Sequence, residues 1–456
     1  MRRRKFLFQT IAGSAILAMP TSNISAVILP KKKVSSVLVI GAGFAGLAAA
    51  HQLRQKGIRV TVLEARDRIG GRVFSYRNGL KNEQVIELGA EWVGLSHERL
   101  IQLCKDFNLE LFNNQFDSHL TLGGKHSPPG SWGMDAEFNE FWKDKAEIWN
   151  AYSEKEKSKL DRMDWWRFIM SKGASDKDML IRELLDSTDF GEGIRHVSAY
   201  AAFAEYAESS EMNEMDLKIK GGNGMLAEKF ADAIGRDNIL TKHKVIGITQ
   251  SKKSGVELVC DNGKKFIADK LICTAPTLSL QKIQWSPALP SPHIDAMNAL
   301  QYARIGKFPL VFKERFWKAE NFDMITDTPA HYFYHATKDQ PGSQGVLTCY
   351  ATGDKADSLA SVSKEQRIEI ILNALMPAFG DVRKYLANDI SYYWGNDAFS
   401  KGAYAMYGIG QWFDLKPQLK LAHMNTYFAG EHLADWQGFM EGAIVTGEEA
   451  AQEILS

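Results

Sequence analysis

Val37-Leu38-Val39-Ile40-Gly41-Ala42-Gly43-Phe44-Ala45-Gly46 is the stretch that decides the fold. Its first four residues are a continuous β-branched and apolar run, the pattern of a parallel strand buried on both faces. The run ends in a glycine loop, and Leu47 to Lys56 follows with the Ala-rich, apolar-spaced composition of a helix. Gly57 stands where a left-handed helix C-cap belongs, and Ile58 to Leu63 reads as a second strand ending at Glu64. Each glycine has a physical task. Gly41 permits the tight turn, Gly43 lets backbone approach a pyrophosphate, and Gly46 lets the helix lie close on the strand. The free N–H groups and positive end of the helix suit the phosphates. Glu64, about 20 residues on, can accept hydrogen bonds from ribose hydroxyls and repels a 2′-phosphate. The expected fold class is α/β, with a Rossmann-like dinucleotide-binding domain.

Outward from this unit, the chain has 456 residues, 45% hydrophobic and 24% charged, which suggests two or three domains at roughly 100–200 residues each. Lys plus Arg and Asp plus Glu both number 55; nothing in this balance asks for nucleic acid, which shows as a clustered basic face. Cys104, Cys260, Cys273 and Cys349 are scattered without a CxxC pair and read as buried free thiols, with no disulfide framework and no metal site. At the N-terminus, Arg2-Arg3-Arg4-Lys5-Phe6-Leu7 precedes a modest apolar run, Ile11 to Met19. That run is too short and too diluted for a transmembrane helix. The paired arginines resemble a twin-arginine export signal, which would carry the folded protein to the periplasm. Removal near Ser25-Ala26 and retention as a tail both stay open.

The residues after Glu64 narrow the cofactor. Glu64-Ala65-Arg66-Asp67-Arg68-Ile69-Gly70-Gly71-Arg72 resembles the segment that follows the ribose-binding acid in the flavin-dependent amine oxidases, the family of monoamine, polyamine and L-amino acid oxidases. The likeness continues through Glu87-Leu88-Gly89-Ala90-Glu91-Trp92-Val93-Gly94, through Lys244-Val245-Ile246 with Leu271-Ile272-Cys273-Thr274-Ala275-Pro276, and through Tyr427-Phe428-Ala429-Gly430-Glu431-His432 with Gly438-Phe439-Met440-Glu441-Gly442-Ala443. It implies FAD as cofactor, contacted by Gly41, Gly43, Gly46, Glu64, Arg66, Gly70, Gly71, Arg72, Gly89, Ala90, Glu91, Trp92, Val245, Trp394, Gly430, Glu431, Phe439 and Met440. It also implies a FAD-binding domain assembled from residues 35–115, 215–285 and 395–456, and an α+β substrate-binding domain from 116–214 and 286–394. Residues 1–30 are left as export signal and linker. Composition agrees in part: 116–214 is rich in helix formers and Trp, and Lys307 to Phe312 has the β-branched and aromatic character of a strand.

The resemblance further implies oxidation of a C–N bond, with a hydride equivalent passing from the carbon bearing nitrogen to flavin N5. Three residues are the catalytic candidates. Lys307 matches the family lysine that holds a water against the flavin; read alone it is equally a strand lysine reaching for solvent. Tyr404 and Phe439 match the two walls of an aromatic cage whose π faces suit an amine; each taken singly is an ordinary core aromatic. Ala403 stands where monoamine oxidases attach flavin through cysteine, so FAD is expected to be held non-covalently. No arginine follows Gly89 until Arg99, which favours an amine over an amino acid, since a guanidinium is the natural clamp for a carboxylate. Glu91 is a cofactor contact or a recogniser of a distal positive charge. Oxidation of an L-amino acid, and transfer of electrons to a periplasmic protein instead of O2, are the alternatives; a homodimer is one expected assembly.

Overall fold

A computed structural model describes residues 34–211 and 213–456. The basic N-terminus read as an export signal lies outside the described residues. Ser36–Ile40 is the central strand of a five-stranded, wholly parallel sheet. Arg59–Leu63 and then Ile239–Leu240 lie on one side of it, and Lys270–Cys273 and then Thr426–Phe428 on the other. All five residues of Ser36–Ile40 are buried, as parallel pairing with both faces covered demands. The helix after the glycine loop runs Phe44–Gln55, and Gly57 is left-handed at φ 76° with its N–H on the Arg54 carbonyl at 2.9 Å. Its small residues Ala45, Ala48 and Ala49 join Ile444, Ala450 and Ala451 of the C-terminal helix Met440–Leu455 in one apolar core. A 400-residue separation in sequence therefore closes into direct contact beneath the glycine loop.

The second large sheet has eight strands, most of them antiparallel. Ile305–Phe312, buried at all eight positions, is flanked by Gly345–Thr352 on one side and by Leu386–Asp389 and Tyr392–Tyr393 on the other. Residues 117–127, expected within a helical region, instead form a hairpin of Asp117–Leu122 and Lys125–Ser127 at the edge of this sheet. Alternating His119, Leu120, Thr121 and Leu122 suit a pleated surface, and Asp117–Leu122 finds a parallel partner in Phe322–Thr326. The helices expected between 116 and 214 begin at Ala136–Lys143 and end at Ala199–Glu208. They bury a dense aromatic cluster that includes Trp149, Trp165, Phe168 and Phe203. Likewise the 286–394 region is not sheet alone: Gly353–Ser361 and Lys364–Phe379 are helices, and both pack residues into the apolar core of Ile305–Phe312. Val245–Ser251 and Lys270–Cys273 belong to different sheets. Among the described residues no helix is long and apolar enough to cross a membrane, and no group of His, Cys, Asp and Glu could hold a metal.

Candidate active site

A cavity of about 600 Å³ opens between the parallel sheet, the large sheet and the helices. Every cofactor and catalytic residue predicted above lines it, except Gly46. Gly46 works from behind: a Cβ there would sit 2.0 Å from the Gly41 carbonyl oxygen. Across the loop, Gly71 (φ 59°) lies against Gly43, where a Cβ would come within 3.1 Å of the Gly43 Cα. The first turn of the Phe44–Gln55 helix carries no acidic residue, and its positive end faces the cavity. Glu64 is sealed beside it, accepting from the N–H of Ala42 at 2.7 Å and of Arg66 at 2.7 Å. It braces the loop with the same carboxylate that faces the cavity.

The arginines of this region are held by the chain itself, Arg66 by partners the sequence left unmarked. Arg66 makes a bidentate pair with Asp397, both bonds 2.7 Å, and donates to Ser400 Oγ at 2.9 Å. Arg72 donates to the Ala403 carbonyl at 2.8 Å and to Glu431 Oε1 at 2.5 Å. Glu431 also accepts from the Gly438 N–H at 2.9 Å and, more weakly, from Ala405 N–H. One carboxylate thus ties the double-glycine motif, the Tyr404 segment and the Phe439 loop together. Trp394 is 2% exposed and donates its indole N–H to the Leu88 carbonyl at 2.8 Å, which anchors the turn carrying Gly89 to Trp92. Val245 begins its strand at the cavity wall.

Lys307 is 2% exposed. Its ammonium donates to the carbonyls of Glu87 at 3.1 Å and Gly89 at 2.9 Å and to Glu91 Oε2 at 2.9 Å, and the rings of Trp92, Tyr334 and Tyr350 surround it within 6 Å. Burial pulls its pKa below the usual lysine value, while the Glu91 charge works against that fall. Tyr404 donates its hydroxyl to the Asp189 carbonyl at 2.6 Å, which fixes its ring. Phe439, at the N-cap of the C-terminal helix, rests edge-to-face on His97 and Trp436 at centroid distances of 5.1 and 5.5 Å. His97 is itself paired with Glu214, Nε2 to Oε2 3.0 Å. Three acids absent from the sequence reading line this part of the cavity: Asp189, Glu205 and Glu214. Burial pushes Asp189 up to about 7, and burial with the neighbouring Asp189, Glu214 and Asp186 drives Glu205 well above the carboxylate range. None of the three stands in a recognisable motif, so only the fold could have brought them forward. Arg99 is no part of the cavity; it forms a bidentate pair with Glu448.

The family model for flavin-containing amine oxidoreductases matches residues 44–455. The chain belongs to that family. Flavin-containing amine oxidase B of Homo sapiens is 26% identical, the alignment covering 92% of this chain and 86% of the human one. Amine oxidase A of Equus caballus is 27% identical over 92% of this chain and 85% of its own. Among solved structures, putrescine oxidase bound to putrescine superimposes with a TM-score of 0.81 at 21% identity, covering 93% of this chain and 99% of its own. Cyclohexylamine oxidase from Brevibacterium oxydans gives 0.81 at 23% identity over 93% and 99%. The enzyme is therefore an FAD-dependent oxidoreductase acting on amines. Its cavity fits the cofactor: a glycine lining in which a Cβ at Gly41, Gly70 or Gly89 would collide with neighbouring atoms, a helix whose first turn holds no acid, and Glu64 just after the second strand.

Proposed function

We propose that this enzyme oxidises an amine lacking a carboxylate, prefers one with a second positive group, and passes the electrons to O2. The acidic lining carries this reading. Asp189 accepts the Tyr404 hydroxyl on its backbone carbonyl while its carboxylate accepts from Tyr206 and Asn213, and Glu214 reaches Phe439 through His97, so an acidic residue stands next to each candidate cage wall. The two arginines among the described lining residues, Arg66 and Arg72, are both committed to carboxylates of the chain. A substrate carboxylate would find no guanidinium to receive it and would be repelled by Asp189 once that group ionises, above about pH 7, where an ammonium is attracted. Bound FAD takes up the hydride equivalent from the carbon bearing nitrogen. The protein's share is to flatten the slot between Tyr404 and Phe439, orient the amine on their π faces, and keep water out. Lys307 places its amino group at the inner wall, held by Glu91. In this division of labour the parallel-sheet layers hold FAD, and the large sheet with the helices up to Glu208 faces substrate.

FAD is held without a covalent bond in this proposal. Ala403 offers no sulfur, and none of the buried free cysteines lines the cavity. Export to the periplasm by the twin-arginine route is supported by Arg3-Arg4, followed by Lys5-Phe6-Leu7, and by the short apolar run; cell fractionation of the wild type and an Arg3→Lys, Arg4→Lys variant tests it. The reaction itself is tested by anaerobic bleaching of bound FAD with monoamines, diamines and L-amino acids, followed by air. Amines should bleach and air should restore the colour with release of peroxide. Bleaching by amino acids alone would sink the substrate reading, and slow recovery in air would transfer the electrons to another acceptor.

A further inference from the structure

Behind Lys307 lies a charge network that the cavity itself does not show. Glu91 is 2% exposed, and each of its oxygens has a cationic partner: Oε2 accepts from Lys307 at 2.9 Å and Oε1 from Lys218 at 2.6 Å. The Tyr334 hydroxyl donates to Oε2 as well. Lys218, in the strand Leu217–Ile219, is 2% exposed, and Tyr334 is fully buried; neither lines the cavity. Asn223 holds the backbone of the same turn, donating from Nδ2 to the carbonyls of Glu91 at 2.7 Å and Ala90 at 3.1 Å. Two lysines bridged by one carboxylate in a dry wall are costly to bury without a purpose, because each ion loses its hydration.

We propose that Glu91 and Lys218 are positioning residues for Lys307. Glu91 holds Lys307 as an ammonium aimed along the cavity wall, and Lys218 limits how strongly it does so. The Lys307–Glu91–Lys218 assembly sits at the wall of the cavity that fits FAD, and two of the groups that set it, Lys218 and Tyr334, do not line that cavity. The titratable groups facing Lys307 are Glu91, Glu87, Lys218, Tyr334 and Tyr350. Glu87 is sealed under Ser75 and the Asn223 N–H, and Tyr334, like Tyr350, is pushed above the ordinary tyrosine range by burial. Glu91 is held down at about 2, by Lys218 and Lys307 against the cost of burial. It therefore stays charged throughout the working range, and Lys307 is the group whose proton is at stake.

The two neighbours act on Lys307 with opposite sign, and that sets the test. A carboxylate raises the lysine pKa and a second ammonium lowers it. Removing Glu91 should therefore release the Lys307 proton at lower pH, and removing Lys218 should retain it to higher pH. The inference rests on the cavity holding FAD, which stoichiometric flavin in the purified wild type establishes separately. The measurements are the midpoint potential of bound FAD against pH and, beside it, the rate at which photoreduced enzyme is reoxidised by air. In Glu91→Gln the pH break in both should move down by about one unit or more, so that above the break the rate falls about tenfold. In Lys218→Met it should move up. If Glu91→Gln fails to load FAD, Lys218→Met decides alone: an upward shift supports the proposal. An unchanged break in Lys218→Met, or movement of both variants in the same direction, would overturn it, since general loosening of the site has no reason to change sign.

Discussion

Lys307 and Asp189 show how far burial sets the chemistry of single side chains here. Lys307 is surrounded by rings and carbonyls, and its charge survives through Glu91. Replacing it by Met keeps the volume and removes the charge. Lys307→Met should bind FAD normally and slow reoxidation by about 100-fold, the scale of losing one preorganised electrostatic group; stopped-flow traces of reduced enzyme mixed with air check this. Asp189, pushed up to about 7, is neutral below that pH and an anion above it. The sign for binding is then fixed. A second ammonium on the substrate gains attraction as pH rises through about 7, while a monoamine gains none. The ratio of kcat/KM for a diamine to that for a monoamine should rise about tenfold between pH 6 and 8, a change worth ~1.4 kcal/mol. In Asp189→Asn that rise should vanish; a ratio flat in the wild type would remove Asp189 and its neighbours from substrate recognition.

At the scale of elements, the glycine loop and the Arg66–Asp397 pair are what join distant pieces of chain. The helix Phe44–Gln55 starts so close to the strand that a methyl at Gly46 has no space beside the Gly41 carbonyl. Gly46→Ala should cost about 1–3 kcal/mol and abolish FAD retention, read by thermal unfolding and by flavin absorbance after gel filtration. Asp397 is held well below the usual carboxylate range, because the bonds from Arg66 and Tyr392 outweigh its burial. A depressed folded pKa stabilises at pH values above the unfolded value of about 3.9, and that contribution is lost as pH falls through the folded value. Acid unfolding of the wild type should therefore steepen below about pH 4. Asp397→Asn should be less stable by roughly 3 kcal/mol at neutral pH and show a shallower acid limb. Identical acid profiles would mean the pair stores nothing.

Across the whole molecule, the cavity that fits FAD lies between the parallel sheet, the large sheet and the helices. Ligand that binds the folded state alone raises stability by mass action. Added FAD should raise the Tm of stripped protein, and acid precipitation of the holoenzyme should leave yellow flavin in the supernatant. Flavin that stays with the pellet would show a covalent link and refute the reading of Ala403.

The sequence by itself determined the dinucleotide unit, because a glycine loop between a buried strand and a helix is a local pattern whose physics is complete within about thirty residues. Glu64 was legible for the same reason, whereas Gly70, Gly71 and the Gly430 to Ala443 segment were read from the likeness to the family. Lys307, Tyr404 and Phe439 were legible only through family likeness. The tertiary structure decided their partners. Glu91 looked like a cofactor contact or a substrate acid, and it is the bridge between Lys307 and Lys218, 127 residues apart from the second of these. Asp397, Asp189, Glu205 and Glu214 carry no local signal, since a carboxylate in a loop or on a helix face reads as solvated until the fold takes its water away. Residues 117–127 likewise became strand because Phe322–Thr326 offered a partner. Backbone turns are encoded locally, whereas buried charge is a property of what surrounds it, and only the folded chain supplies those surroundings.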